Sequence, residues 1–302
     1  MSTLNSNQIS LAEGNSRISR TERVTAAAAG LTSVNAQLPL WRYTQQVWAR
    51  RRFIAALASS RLDAKHGKDR LGSLWLVLTP LLNAGTYFLI FGVLLQTRRG
   101  IENFVGFLVI GVFVYQFSAN CINEGSKSIA SNTKLLQTLH FPRAVLPVSV
   151  VVRQLLAFVP ALAVMFVIVL ALPPHAPLTW RWLLVLPVLA LQVAFSAGVA
   201  LMLARLVARV NDVSNLMQFV MRAWMYFSGI FYSFDRFDAY PTAKAILELN
   251  PLHAFLTIYR DAVLYAQVAP AKDWNVALVW ALLALVVGWV VFWRGEKEYG
   301  SV

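Results

Sequence analysis

Six separate stretches of this chain are apolar over the roughly 20 residues that an α-helix needs to cross a bilayer's hydrocarbon core. They are Leu74–Leu95, Phe104–Ile122, a span within Val145–Leu172, Trp182–Val207, Asn215–Phe231 and Val276–Trp293. Lipid offers no water to an open backbone, so such stretches must satisfy their own N–H and C=O groups as helices. The expected fold class is therefore all-α integral membrane, with six transmembrane helices. Composition agrees: 58% of residues are hydrophobic and 14% are charged, against about 25% charged in soluble domains. Pro80, Pro160 and Pro187 fall inside spans, where neighbouring helices can satisfy the carbonyls they free.

The formal charge is +13, and its distribution sets the topology. An even number of spans puts both termini on one side. That side collects eighteen Lys and Arg, eleven of them before span one, from Arg17 to Arg70. The opposite side has six, namely Arg98, Arg99, Arg236, Lys244, Arg260 and Lys272, with Arg181 at a boundary. Basic residues accumulate on cytoplasmic loops, so both termini are expected in the cytoplasm of a multi-pass plasma-membrane protein. The basic balance is thus explained without nucleic acid. Residues 1–40 are polar and lack the apolar run of a signal peptide, and they are expected as a disordered cytoplasmic tail. The membrane domain is expected over 41–302.

Two segments outside the spans have helical patterning. In 41–65, Tyr43, Val47, Ile54, Leu57 and Ala58 recur at helical spacing, beside Trp41, Trp48 and the run Arg50, Arg51, Arg52. This predicts an amphipathic interfacial helix. Between spans five and six, Ala245–Leu249 and Ala254–Ala266 are apolar at helical spacing and broken by Pro241 and Asn250-Pro251. Two short re-entrant or interfacial helices are expected there.

Catalytic motifs are missing. Gly67-Lys68 is followed by Asp69, so there is no phosphate-binding P-loop. No serine-hydrolase elbow or zinc-protease motif occurs, and four scattered histidines with the single Cys121 have no metal-ligand spacing. Charges within spans are costly and therefore mark candidate sites. Arg222 in span five and Arg153 in span three either meet an anionic group such as a pyrophosphate or find an internal partner. Span one carries Trp75, Tyr87, Phe88 and Phe91; span five carries Phe219, Trp224, Tyr226, Phe227, Phe231 and Tyr232. These rings either line a passage for sugar rings or form an interfacial belt.

Four stretches in order carry a resemblance: Leu71-Gly72-Ser73-Leu74-Trp75 with Pro80; Leu139-His140-Phe141-Pro142-Arg143; Arg209-Val210-Asn211-Asp212 running on to Phe227-Ser228-Gly229; and Asn250-Pro251 with Tyr259-Arg260. Over residues 42–295 the chain resembles the ABC-2 type permeases that export polysaccharides such as O-antigen, teichoic acid and cell-wall galactan. Lys65-His66-Gly67-Lys68-Asp69 departs from the family's more basic run there. The resemblance implies a homodimer that binds two copies of a separate ABC ATPase. ATP and Mg are then held by that partner and no cofactor by this chain, which is not itself an enzyme. It further implies a polyprenyl-pyrophosphate-linked glycan as substrate, galactan being favoured. Tyr87, Phe88, Phe91, Phe219, Trp224, Tyr226, Phe231 and Tyr232 would line its channel. An ATPase coupling loop would contain Glu124, Lys127, Lys134, Phe141, Pro142 and Arg143. The outer gate would contain Asn250, Pro251, Tyr259 and Arg260, and the interfacial helix with Trp41 and Arg50–Arg52 would touch lipid and ATPase. An ABC-2 permease for a drug or another lipid would share most of these features. A membrane glycosyl or acyl transferase would need clustered acidic or histidine groups, and Asp212 and His253 stand alone.

Overall fold

The computed structural model describes residues 39–66, 71–94, 101–138, 141–234 and 238–296, and the regular elements among them are all helical. Residues 1–38 of the expected tail lie outside this set, as do Lys68, Arg70, Arg98, Arg99, Leu139, His140, Arg236 and Lys297.

Five helical stretches are long and apolar enough to cross a bilayer: Trp75–Leu94, Phe104–Ser126, Val145–Ala171, Trp180–Arg209 and Ala271–Arg294. They coincide with expected spans one, two, three, four and six. Span one is α3 (Trp75–Tyr87) prolonged by a wide π-helical segment, Phe88–Leu94. Span two is α4 (Phe104–Ser126) and span three is α6 (Val145–Ala171). A 3-10 turn, Trp180–Leu184, leads into α7 (Val185–Arg209), and span six is α11 (Ala271–Arg294).

The fifth apolar stretch differs from expectation. Its helix, α8 (Val213–Phe227), has 15 residues. At 1.5 Å per residue that is about 22 Å, short of the hydrocarbon thickness. It was expected to reach Phe231. It stops because Gly229 has φ +69, a left-handed conformation that only glycine adopts without strain. A Cβ there would sit 2.9 Å from the Phe234 ring.

Span two is the axis of the bundle: 83% of its apolar window is buried, against 17–39% for the others. It packs against α6 and α7, and α7 makes its broadest contact with α11. At the α7–α11 crossing two glycines face one another. A Cβ on Gly288 would lie 2.0 Å from the Gly198 carbonyl oxygen, and one on Gly198 would lie 2.2 Å from the Ala284 carbonyl. Small residues let spans approach backbone to backbone and gain dispersion where lipid removes the hydrophobic drive.

The single amphipathic helix expected over 41–65 is two helices, α1 (Leu40–Ala49) and α2 (Arg51–His66). The Arg50 N–H bonds back only three residues, to Val47 O at 3.1 Å, so the helix tightens and restarts there. Tyr43, Val47, Ile54 and Ala58 are buried as one stripe, and Trp41, Trp48, Arg50, Arg51 and Arg52 are exposed. α2 lies against α6 and α1 touches α11. The segment after span two folds into a 3-10 turn, Ala130–Asn132, and a short helix α5 (Thr133–Thr138). Between α8 and α11 come α9 (Pro241–Glu248) and α10 (Pro251–Val263). Each starts on a proline, whose missing N–H costs nothing in a first turn. α10 is buried along nearly its whole length against α4, α7 and α11.

Candidate functional site

The candidate residues fall at two ends of the bundle: α1, α2, α5 and the end of α11 gather at one, and α9 and α10 at the other.

At the α10 end, the expected gate residues tie elements together. Asn250 caps α10 by accepting from Leu252 N at 3.1 Å, and its Oδ1 also accepts from Trp224 Nε1 at 2.9 Å. Its amide donates to Phe227 O at 3.1 Å and Ser228 Oγ at 3.2 Å. One side chain therefore closes the end of α8 and opens α10. Arg260 is buried and donates to three carbonyls: Gly229 O at 2.9 Å, Ile230 O at 3.2 Å and Phe107 O at 3.2 Å. Its guanidinium carbon stands 3.3 Å from the Phe107 ring centroid, a cation–π contact that partly replaces lost water. Tyr259 donates to Gln192 Oε1 at 3.1 Å, and Gln192 donates to Val114 O and Ser118 Oγ at 2.9 and 2.7 Å. His253, stacked on Phe234 at 4.0 Å, has its pKa lowered to about 4 by burial and then by the Arg260 charge.

The aromatic candidates divide into a cluster and an exposed face. Phe231 is fully buried, stacked on Phe91 at 4.3 Å and tilted against Tyr87 and Tyr226 at 4.9 and 5.5 Å. Tyr232 donates to Tyr226 O at 2.8 Å. Phe88 is half-buried, and Trp224 is held by Asn250. The other face of α8 is uncovered, with Phe219, Val220, Arg222 and Phe227 exposed. Only Ser214, Met221 and Met225 of α8 are buried.

At the opposite end, the expected coupling residues lock several chain segments. Arg143 donates from its backbone N to Glu296 Oε1 at 3.1 Å and from its guanidinium to Glu296 O. Tyr43 of α1 accepts from Ala144 N at 3.1 Å and bonds to the same carboxylate. Burial raises the Glu296 pKa, against the pull of these donors. Phe141 packs on Phe53 of α2 at 5.8 Å, and Pro142 is buried. Arg61 of α2 reaches Asn132 Oδ1 at 2.6 Å, fixing the turn before α5. Lys127 caps span two, and Lys134 lies in α5, its side chain outside the described set. Arg51 lies over the Trp48 ring at 5.8 Å.

Arg153 and Glu124, expected to serve a substrate and an ATPase respectively, pair with each other. Glu124 sits within α4 and not in the following loop. Its Oε2 also accepts from Gln154 Nε2 at 2.6 Å. The pair borders a cavity of about 240 Å³ between spans one, two and three. Among the described residues, no three His, Cys, Asp or Glu side chains come together as metal ligands.

The ABC-2 type transporter family model matches residues 53–264, well over half of the chain and every element from α2 to the end of α10. The chain belongs to the ABC-2 type transporter family. Such membrane subunits are components of transporters and not catalysts. An O-antigen export system permease protein RfbA from Myxococcus xanthus is 27% identical over 263 residues, covering 86% of this chain and 98% of that protein. Two proteins of the same name from Klebsiella pneumoniae are 27% and 23% identical, covering 69% and 82% of this chain and 78% and 94% of their own lengths.

Two parts of this ABC-2 membrane subunit went unread in its sequence. The Arg143–Glu296 junction joins residues 153 apart, which no local pattern marks. Gln116, Asn120 and Glu124 all line the cavity, and their spacing of four on one α4 face was a legible signal.

Proposed function

We propose that this ABC-2 family member is the membrane subunit of a polysaccharide exporter, working as a homodimer of six-span protomers with two copies of a separate ATPase. The substrate is a polyprenyl-pyrophosphate-linked glycan, with cell-wall galactan favoured over O-antigen and teichoic acid. The termini and the Arg143 junction face the cytoplasm. α9 and α10 form the outer, re-entrant gate, and α8 with its following turn completes the fifth crossing. ATP and Mg are held by the partner.

The observation that carries this reading is the uncovered face of α8. Arg222 is exposed there among Phe219, Val220 and Phe227. A charge held in lipid at mid-bilayer costs at least about 2.5–3.5 kcal/mol. The face is better suited to a water-filled passage between two copies, where the rings offer flat surfaces to sugars and Arg222 meets the pyrophosphate. The names of the relatives support a glycan as cargo. The tied corner at Phe141–Arg143 supports a coupling role, because a push on the loop reaches α1, α2 and α11 through direct bonds.

The test is co-purification with an ABC ATPase subunit, followed by export measured as glycan at the cell surface. Arg222→Glu is expected to lower export more than tenfold without loss of the complex. Phe219→Cys should cross-link two copies, since Cys121 is buried. Failure to form any ATPase complex, or full export by Arg222→Glu, would refute the proposal.

A further inference from the structure

An amphipathic helix on a membrane surface turns its apolar stripe toward the lipid. α1 does the opposite. Tyr43 and Val47 are buried, and the stripe continues in α2 through Ile54 and Ala58. α1 touches α11 and α2 lies against α6, so the apolar stripe is turned to the protein. The Tyr43 ring is tilted against Trp289 of α11 at 5.9 Å, and Trp289 Nε1 donates to Thr44 Oγ1 at 3.0 Å.

The outward face is aromatic and basic. Trp41 and Trp48 are 57% and 71% exposed. Seven residues make just under two helical turns, so the two indoles share one side, about 10 Å apart along the axis. Each has an arginine over it: Arg42 stands 5.2 Å from the Trp41 ring centroid, and Arg51 stands 5.8 Å from that of Trp48. Arg52, next in sequence, is exposed. From Leu40 to Leu62 there are five arginines and no aspartate or glutamate. Among the described residues, no acidic side chain pairs with Arg42, Arg51 or Arg52.

The level of this face in the membrane follows from Trp289. α11 has 24 residues, about 36 Å of helix, so its ends reach past a ~30 Å hydrocarbon core. Trp289 lies about 7–8 Å before the Arg294 end of α11. Its bond to Thr44 therefore holds α1 at the boundary between hydrocarbon and headgroups, the depth at which indoles concentrate. A soluble ATPase approaches from the water beyond this level, whereas lipid phosphates lie beside it.

We propose that this face binds anionic phospholipid of the surrounding leaflet, with Arg42, Arg51 and Arg52 meeting the phosphates and Trp41 and Trp48 settling among the glycerol backbones. Guanidinium groups suit the role because their planar donors engage two phosphate oxygens at once. The ligand is bulk membrane lipid and not cargo, so the site does not depend on what the chain transports.

The test is lipid binding to the purified permease, with and without an ABC ATPase subunit, by native mass spectrometry from mixed micelles. The probes are phosphatidylglycerol and, as a control of zero net charge, phosphatidylcholine. Phosphatidylglycerol is expected to bind at least tenfold more tightly than the control, and the preference should shrink as salt is raised. Arg42→Gln, Arg51→Gln and Arg52→Gln together remove three charges from an exposed face. At about fivefold per arginine beside an anionic surface, phosphatidylglycerol binding should weaken at least tenfold with the thermal midpoint unchanged. Trp41→Phe with Trp48→Phe keeps the charges and reads the depth. In vesicles of phosphatidylglycerol brominated near its headgroup, the fraction of indole fluorescence quenched should fall relative to wild type. A rise would mean that these two indoles stand in water, and it overturns the proposal. Equal affinity for the two lipids overturns it as well. If the triple variant keeps phosphatidylglycerol binding but loses the ATPase, the face belongs to that partner and the proposal fails. Binding is read without glycan or ATP, so failure of the export reading leaves this result standing.

Discussion

Replacing Gly288 with alanine adds one methyl group at the α7–α11 crossing. Its carbon would lie 2.0 Å from the Gly198 carbonyl oxygen, 2.7 Å from the carbonyl carbon and 2.9 Å from the Gly198 Cα. All three are backbone atoms, so no rotamer change relieves the clash, and the two helices must part by at least about 1 Å. A gap of that size forfeits a quarter to a half of each contact's ~0.1–0.2 kcal/mol. Over several tens of atom pairs along this interface the loss is about 2–4 kcal/mol, at the upper end for overpacking. Gly85→Ala is the matched control. Nothing lies within 4 Å of its added methyl, and alanine is the better helix former by up to ~1 kcal/mol. The assay is equilibrium unfolding of the purified permease in mixed micelles, the two variants side by side. Gly288→Ala should unfold well before the wild type and Gly85→Ala at or after it. Equal midpoints for the two variants would refute the idea that this backbone crossing holds spans four and six together.

Arg260→Met leaves the Gly229 and Ile230 carbonyls, beyond the end of α8, without this donor; at about 1–3 kcal/mol per stranded group, the loss should be about 2–6 kcal/mol in the same assay. Arg260→Lys should recover only part of it, since one ammonium cannot span the three oxygens that Arg260 bonds. His253 is neutral in the folded state down to about pH 4, whereas it protonates near 6.5 when unfolded. The unfolded chain therefore binds more protons between these values, so stability is full above about pH 6.5 and falls as pH drops toward 4, by up to about 3 kcal/mol. His253→Phe should flatten that slope in melts at pH 4.5 and 7. Arg143→Ala cuts the junction with Glu296, and in the permease–ATPase complex export should fall at least fivefold while ATP hydrolysis persists; unchanged export would remove the coupling role.

Spans one, two, three, four and six were legible to within a few residues, because twenty apolar positions in a row admit one conformation in lipid. α8 was legible as a helix but not in length. Hydropathy continues through Ile230 and Phe231, and only the left-handed turn at Gly229 reveals the stop. The break at Arg50 was hidden because a shortened hydrogen bond leaves the apolar stripe in phase. Intramembrane charge marked Arg153 as either a substrate contact or internally paired, and Glu124 was read into the coupling loop; the structure pairs the two. Their pairing joins different helices, so periodicity along either helix could not show it. Gln116 and Asn120 were overlooked because uncharged polar residues barely lower the hydropathy of a long apolar run.

The bonds from Arg260 to Gly229 and Ile230 also set an order of assembly. Gly229 and Ile230 enter the membrane region some thirty residues before Arg260 is made. Until α10 arrives, the Gly229 and Ile230 oxygens lack the Arg260 donor and are best served by water. The end of α8 therefore cannot be sealed as the chain emerges. It waits for a later segment to fold back and seal it, which makes the α10 end of the bundle the last part of the chain to become watertight.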